Sequence, residues 1–145
     1  MNEFERRVRA QVMTCFREAS RAPSVEEIAA ALSASGEAVS AALHALATEH
    51  AVVLKPGSDA IWMAHPFSGV KTDFRVTVGP RAWFANCVWD GLSILALLGD
   101  GKLETHSPAS GDLLRFDVSA GRVHGAGLVH FLVPARRFWD DIAFT

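Results

Sequence analysis

The sequence has no tyrosine, only two cysteines (Cys15 and Cys87) and no long apolar run. Two cysteines far apart make neither a disulfide framework nor a paired-cysteine metal site, so a stapled secreted fold and a zinc ribbon are excluded and a reducing cytoplasm is expected. The longest apolar stretch, residues 91–98, falls far short of the roughly 20 residues that span a bilayer. Charge of one sign is also missing: 14 basic against 16 acidic residues leave a net charge of −2. Bulk electrostatics therefore disfavour a nucleic-acid partner. The opening MNEFERRVRA is charged where a secretory leader needs an apolar core, so no leader is expected. Internal repeats and low-complexity tracts are absent as well.

What is present is a chain of 145 residues, 50% hydrophobic and 21% charged. That balance fits one globular domain or two small ones able to bury about two thirds of the unfolded surface. Residues 2–20 place Phe4, Val8, Val12, Cys15, Phe16 and Ala19 at helical spacing, which predicts a first helix. Ala22-Pro23-Ser24 stops it, and Ser24 ahead of Glu26 and Glu27 reads as the N-cap of a second helix through Leu32. Val39, Leu43 and Leu46 line a third helix that ends near Glu49. Residues 51–55 and 60–64 flank Pro56-Gly57-Ser58-Asp59, a hairpin signal.

Three helices and a hairpin form the winged helix-turn-helix pattern. Its third helix would enter the major groove, yet residues 36–49 hold no Lys or Arg and carry Glu37 and Glu49. An architectural or dimerising role is favoured over DNA binding.

His65-Pro66-Phe67-Ser68-Gly69 reads as a linker, and beyond it the period changes to two. Residues 73–78 predict a strand and residues 81–98 one long apolar helix closed by Gly99. Further strands are expected at 102–106, 113–118 and 127–133. The glycines between Gly121 and Gly127 precede a strand signal rather than a helix, so they read as a turn and not as a phosphate loop. Residues 136–145 fit a short helix or a strand equally well. The resulting expectation is an α+β chain: a winged-helix-like module at 1–64, and a core with mixed or antiparallel strands at 65–145.

The chemistry concentrates in Trp83-Phe84-Ala85-Asn86-Cys87-Val88-Trp89-Asp90-Gly91. On a helix, Cys87 and Asp90 share a face within side-chain reach. Apolar bulk from Trp83, Phe84 and Trp89 would raise a carboxyl pKa and help it hold a proton. The same burial makes a thiol inert unless a helix N-terminus or a bound cation favours the thiolate. The histidines form no ligand set: His44 and His50 do not share a helical face, His124 and His130 flank a turn, and His65 and His106 read as structural hydrogen-bonding residues.

This stretch resembles the alkylmercury lyase (organomercurial lyase) family, whose catalytic helix carries a cysteine and an aspartate three residues apart. Phe74-Arg75-Val76, the segment from Thr105 to Gly111, and Gly125-Ala126-Gly127-Leu128-Val129 leading to Leu132-Val133-Pro134 follow in the family's order. The amino-terminal module resembles the degenerate helix-turn-helix domain fused to these cores. The resemblance implies protonolysis of a carbon–mercury bond, with Cys87 as the mercury-binding thiolate and Asp90 as the proton donor beside the metal. Soft thiolate suits soft mercury. The family's second catalytic cysteine falls near Arg137-Phe138-Trp139-Asp140-Asp141, which holds none, and its additional structural cysteine is Ser107 here. The resemblance is thus to a shortened, diverged member. Cys15, Asp140 or Asp141, or an external thiol are the candidates for completing the coordination.

No cofactor is expected, with mercury entering as a substrate-derived ion. The expected partner is a small organometallic or metal ligand, no membrane is involved, and homodimerisation is left open. A rival reading is a noncatalytic regulatory or interaction protein, with Cys87 as a sensor thiol and the winged module used for dimerisation or DNA. Another is a small-ligand pocket lined by Trp83, Trp89 and Asp90.

Overall fold

The computed structural model describes residues 1–143. Three helices come first: α1 (Glu3–Ala19), α2 (Val25–Leu32) and α3 (Gly36–Thr48). Each begins on a residue whose side-chain oxygen accepts an orphan backbone N–H: Asn2 from Glu5, Ser24 from Glu27 and Ser35 from Ala38. In the first two the acid returns the bond to the cap backbone, closing a capping box. Val8, Val12 and Phe16 of α1, Ile28 of α2, and Val39, Leu43 and Leu46 of α3 are buried.

Strands β1 (Val53–Leu54) and β2 (Ile61–Ala64) form the expected hairpin. The segment read as a linker is structured instead. Phe67–Ser68 forms β3, pairs antiparallel with β2 and is buried. Phe67 stacks on Phe16 of α1 with ring centroids 5.3 Å apart. An apolar partner on another element decided this segment, which composition alone does not reveal.

A five-stranded sheet follows in the order β5-β4-β6-β7-β8, comprising β4 (Arg75–Val78), β5 (Arg81–Phe84), β6 (Gly101–His106), β7 (Leu113–Ser119) and β8 (Arg122–His124). Every strand pairing among the described residues is antiparallel. The long helix expected over 81–98 is not formed. Residues 81–84 turn back on β4 through Gly79, whose φ of 54° suits a tight turn, and only Val88–Leu98 is helical, as α4. The run Ala82-Trp83-Phe84-Ala85 is apolar enough to fit either state, and cross-strand partners on β4 for Ala82, Trp83 and Phe84 selected the strand.

Helix α4 lies on β4 and β6. Gly91 permits that approach, since a Cβ there would lie 2.7 Å from Leu103 Cδ1.

The strand expected at 127–133 is also not formed. Gly125, at φ 146°, takes the chain off the sheet; a Cβ there would meet the Arg115 carbonyl oxygen at 2.7 Å. Beyond it the backbone is irregular as far as a 3-10 turn at Ala135–Asp140. That turn resolves the open reading of 136–145 as far as residue 143, and residues 144–145 lie outside the described range. Among the described residues no helix is long and apolar enough to cross a membrane.

Candidate functional site

Strand β5 delivers the chain through Ala85 and Asn86 to Cys87, which is the N-cap of α4. Its extended backbone aims the side chain back over the first turn, where Sγ accepts from the Asp90 N–H at 3.4 Å. Cys87 and Asp90 therefore do not share a face inside a long helix, as the helical reading of residues 81–98 implied. They meet at a helix start, where backbone N–H groups and the helix dipole favour an anion.

The dipole does not win. Burial pushes the Cys87 thiol above its ordinary value and the Asp90 charge pushes it the same way, outweighing the N–H groups of Asp90 and Trp89. Burial therefore favours the protonated thiol over the thiolate. A soft cation that displaces the proton would supply the favourable charge that the site lacks.

The Asp90 side chain is 16% exposed and is held by two residues that the sequence did not assign to the site. Asn86 Nδ2 donates to Asp90 Oδ2 at 2.9 Å, and His65 Nδ1 lies 3.2 Å from the same oxygen. His65 follows directly on β2, so the amino-terminal half of the chain contributes to the site. The reading of His65 as a structural hydrogen-bonding residue holds for the bond, which ends on the candidate proton donor. His106, by contrast, bonds Asp73 at 2.8 Å, away from Cys87.

Cys87, Asp90, His65 and Asn86 share a cavity of about 140 Å³ walled by Met63, Trp89, Phe131 and Phe138. That is close to the roughly 150 Å³ that admits one benzene ring. Trp83, expected in the lining, is absent from it: it is 4% exposed in the core, and its Nε1 donates to the Phe16 carbonyl. The carboxyl-terminal segment lines one side of the cavity. Phe131 meets Trp89 edge-on at 6.4 Å and Phe138 at 5.6 Å, while Trp139 stacks on His50 at 4.0 Å.

The region that would hold a second cysteine thus reaches the site and presents Phe138 there. Cys15 is elsewhere, beside Arg21, Glu27 and Glu18, with its thiol also raised by burial. Asp140 is paired with Arg137 at 2.8 Å. Neither lines the cavity. Among the described residues no group of three or more His, Cys, Asp or Glu side chains could hold a metal ion. A larger groove of about 580 Å³ beside α3 holds His44, His50 and Trp139 but no thiol.

A capping thiol and a carboxyl group held by two hydrogen bonds share an apolar-walled cavity on an antiparallel α+β scaffold, which defines a thiol-and-acid site. The sequence model of the alkylmercury lyase family matches residues 67–145. The chain belongs to that family. Ten chains of solved structure are similar to it. One is described as the mercury-bound form of MerB2, at 18% identity and a TM-score of 0.69, covering 86% of this chain and 60% of that one. This chain therefore spans about 60% of the length of the solved relative, and the likeness is one of fold. No curated protein matches the sequence.

Proposed function

We propose that the protein cleaves carbon–mercury bonds by protonolysis, with Cys87 capturing the metal and Asp90 delivering the proton. The observation that carries this reading is the placement of both side chains on one small, apolar-walled cavity. An organomercury cation displaces the Cys87 proton, which passes to the neighbouring Asp90 carboxylate, and forms a mercury–sulfur bond. The carbon–mercury electron pair then takes the proton of the Asp90 carboxyl to make a carbon–hydrogen bond. Mercury stays divalent on sulfur, and Asp90 is left as a carboxylate. No electron transfer and no resident cofactor are needed. The apolar walls favour the organic group over water beside the reacting atoms.

With one thiol at the cavity, an external thiol completes the coordination and carries the metal away. Residues 1–64 form a winged-helix-like module, and residues 65–145 form the lyase core, which His65 opens directly after β2. Two free cysteines suit a reducing, cytoplasmic setting.

The test is anaerobic incubation of the reduced protein with phenylmercury, following benzene. Release above a thiol-only background, lost in Cys87→Ser and in Asp90→Ala, is expected. Mercury capture that needs Cys87 but yields no benzene would leave a thiol-dependent mercury binder.

A further inference from the structure

The clamp on Asp90 is one-sided. Asn86 has two amide protons: one is directed to Asp90 Oδ2 at 2.9 Å, and the other meets the carbonyl oxygen of Phe67 at 3.3 Å, with that of Pro66 at 3.5 Å. Half a turn of the amide would set its oxygen against these three acceptors, so the neighbours fix its orientation. In that orientation Asn86 Oδ1 is buried with no hydrogen-bond partner among the described residues. A buried orphan acceptor opposes folding and asks for a reason outside packing.

Both Asn86 protons being committed, the 3.5 Å approach of Asn86 Nδ2 to His65 Nδ1 needs no donation to the ring. His65 Nδ1–H then donates to Asp90 Oδ2 across 3.2 Å. Two donors thus converge on that one oxygen.

We propose that Asn86 and His65 are positioning residues that hold Asp90 through Oδ2 and thereby make Oδ1 the oxygen that carries the proton to carbon. The inference rests on the carbon–mercury protonolysis proposed above. The Oδ1–H bond breaks as the carbon–hydrogen bond forms, the carbon–mercury pair supplies the electrons, and mercury remains on Cys87. The carboxylate that results has its charge met by two donors already in place, so the transfer requires no reorganisation of the site. The unpaired Asn86 oxygen is the cost of an amide oriented for Asp90 rather than for itself.

The experiment is single-turnover release of benzene from phenylmercury by the full chain and its Asn86→Leu, His65→Leu and His65→Asn variants. Free thiol is titrated in parallel to read capture at Cys87. Asn86→Leu is expected to capture phenylmercury with wild-type stoichiometry and to stay folded, because removal of the orphan acceptor offsets part of the cost of the two hydrogen bonds that the amide donates. It should release benzene at least about ten-fold more slowly. His65→Asn, whose amide nitrogen overlays Nδ1, keeps most of the rate that His65→Leu loses. A wild-type rate in Asn86→Leu would overturn the proposal, as would a loss of rate matched by equal losses of capture and melting temperature. Should Asn86→Leu fail to fold, exchange of the Asn86 side-chain amide protons in the wild-type protein decides. Slow exchange that Asp90→Ala accelerates supports the clamp, and fast exchange in wild type overturns it. Absence of benzene from the wild type would instead overturn the proposed reaction, while amide exchange still reads the clamp.

Discussion

Trp83 Nε1 donates a 2.7 Å hydrogen bond to the carbonyl oxygen of Phe16, tying the last turn of α1 to the strand that leads into Cys87. Both residues are buried, and the bond joins segments 67 residues apart. The same carbonyl also accepts from Ser20 N at 3.0 Å, so it caps the helix and anchors the sheet together.

Trp83→Phe should therefore destabilise the fold by about 1–3 kcal/mol, the loss of a buried donor with part of an aromatic ring. Phe16 O keeps its bond from Ser20, which limits the loss. Urea unfolding measures it, and an unchanged midpoint would show that the bond contributes nothing.

Gly91→Ala tests the approach of α4 to the sheet. Helix propensity alone favours alanine by about 1 kcal/mol. The added Cβ would sit 2.7 and 2.9 Å from the two Cδ atoms of Leu103, which is fully buried and packed on all sides. Overpacking of this kind costs about 1–3 kcal/mol, so the variant should be less stable than wild type. A gain in melting temperature would mean that Leu103 moves aside freely.

The Cys87 thiol should titrate late. Burial, reinforced by the Asp90 charge, raises it above an ordinary value of 9.0, so alkylation of Cys87 should be slow at neutral pH with a midpoint above that value. Asp90→Asn removes one of the raising influences, and the profile should move to lower pH. Peptide mapping of the alkylated protein separates Cys87 from Cys15. A midpoint that stays fixed in Asp90→Asn would show that the two groups do not interact.

The cap of α2 should depend on acid. Arg21 bonds Glu27 at 2.8 Å, and that bond, helped by the Ser24 backbone N–H, lowers Glu27 from 4.5 to about 2. A carboxyl depressed in the folded state contributes stability that is present above pH 4.5 and lost as pH falls toward 2. The pair is exposed and screened by salt. The difference in urea midpoint between wild type and Glu27→Gln should be seen at pH 7 and close toward pH 2. A gap constant across that range would remove the ion pair as its cause.

The sequence by itself determined the elements whose signals are local. Ser24 before Glu27 caps α2, the apolar positions of α1 and α3 repeat at helical spacing, and a Pro-Gly turn separates β1 from β2. It also determined that Cys87 and Asp90 lie three residues apart, close enough to meet whether inside a helix or at its start. The tertiary structure alone decided which of those two occurs. An apolar run such as 82–85 is compatible with both states until β4 offers it a hydrogen-bonded edge. Only tertiary structure brings His65 and Asn86 to one oxygen of Asp90, or brings Phe131 and Phe138 to the cavity that Cys87 lines. Periodicity reports which face of a segment is apolar. It carries no record of the distant segment that covers that face, because this choice is made by packing and hydrogen-bond satisfaction across the whole chain.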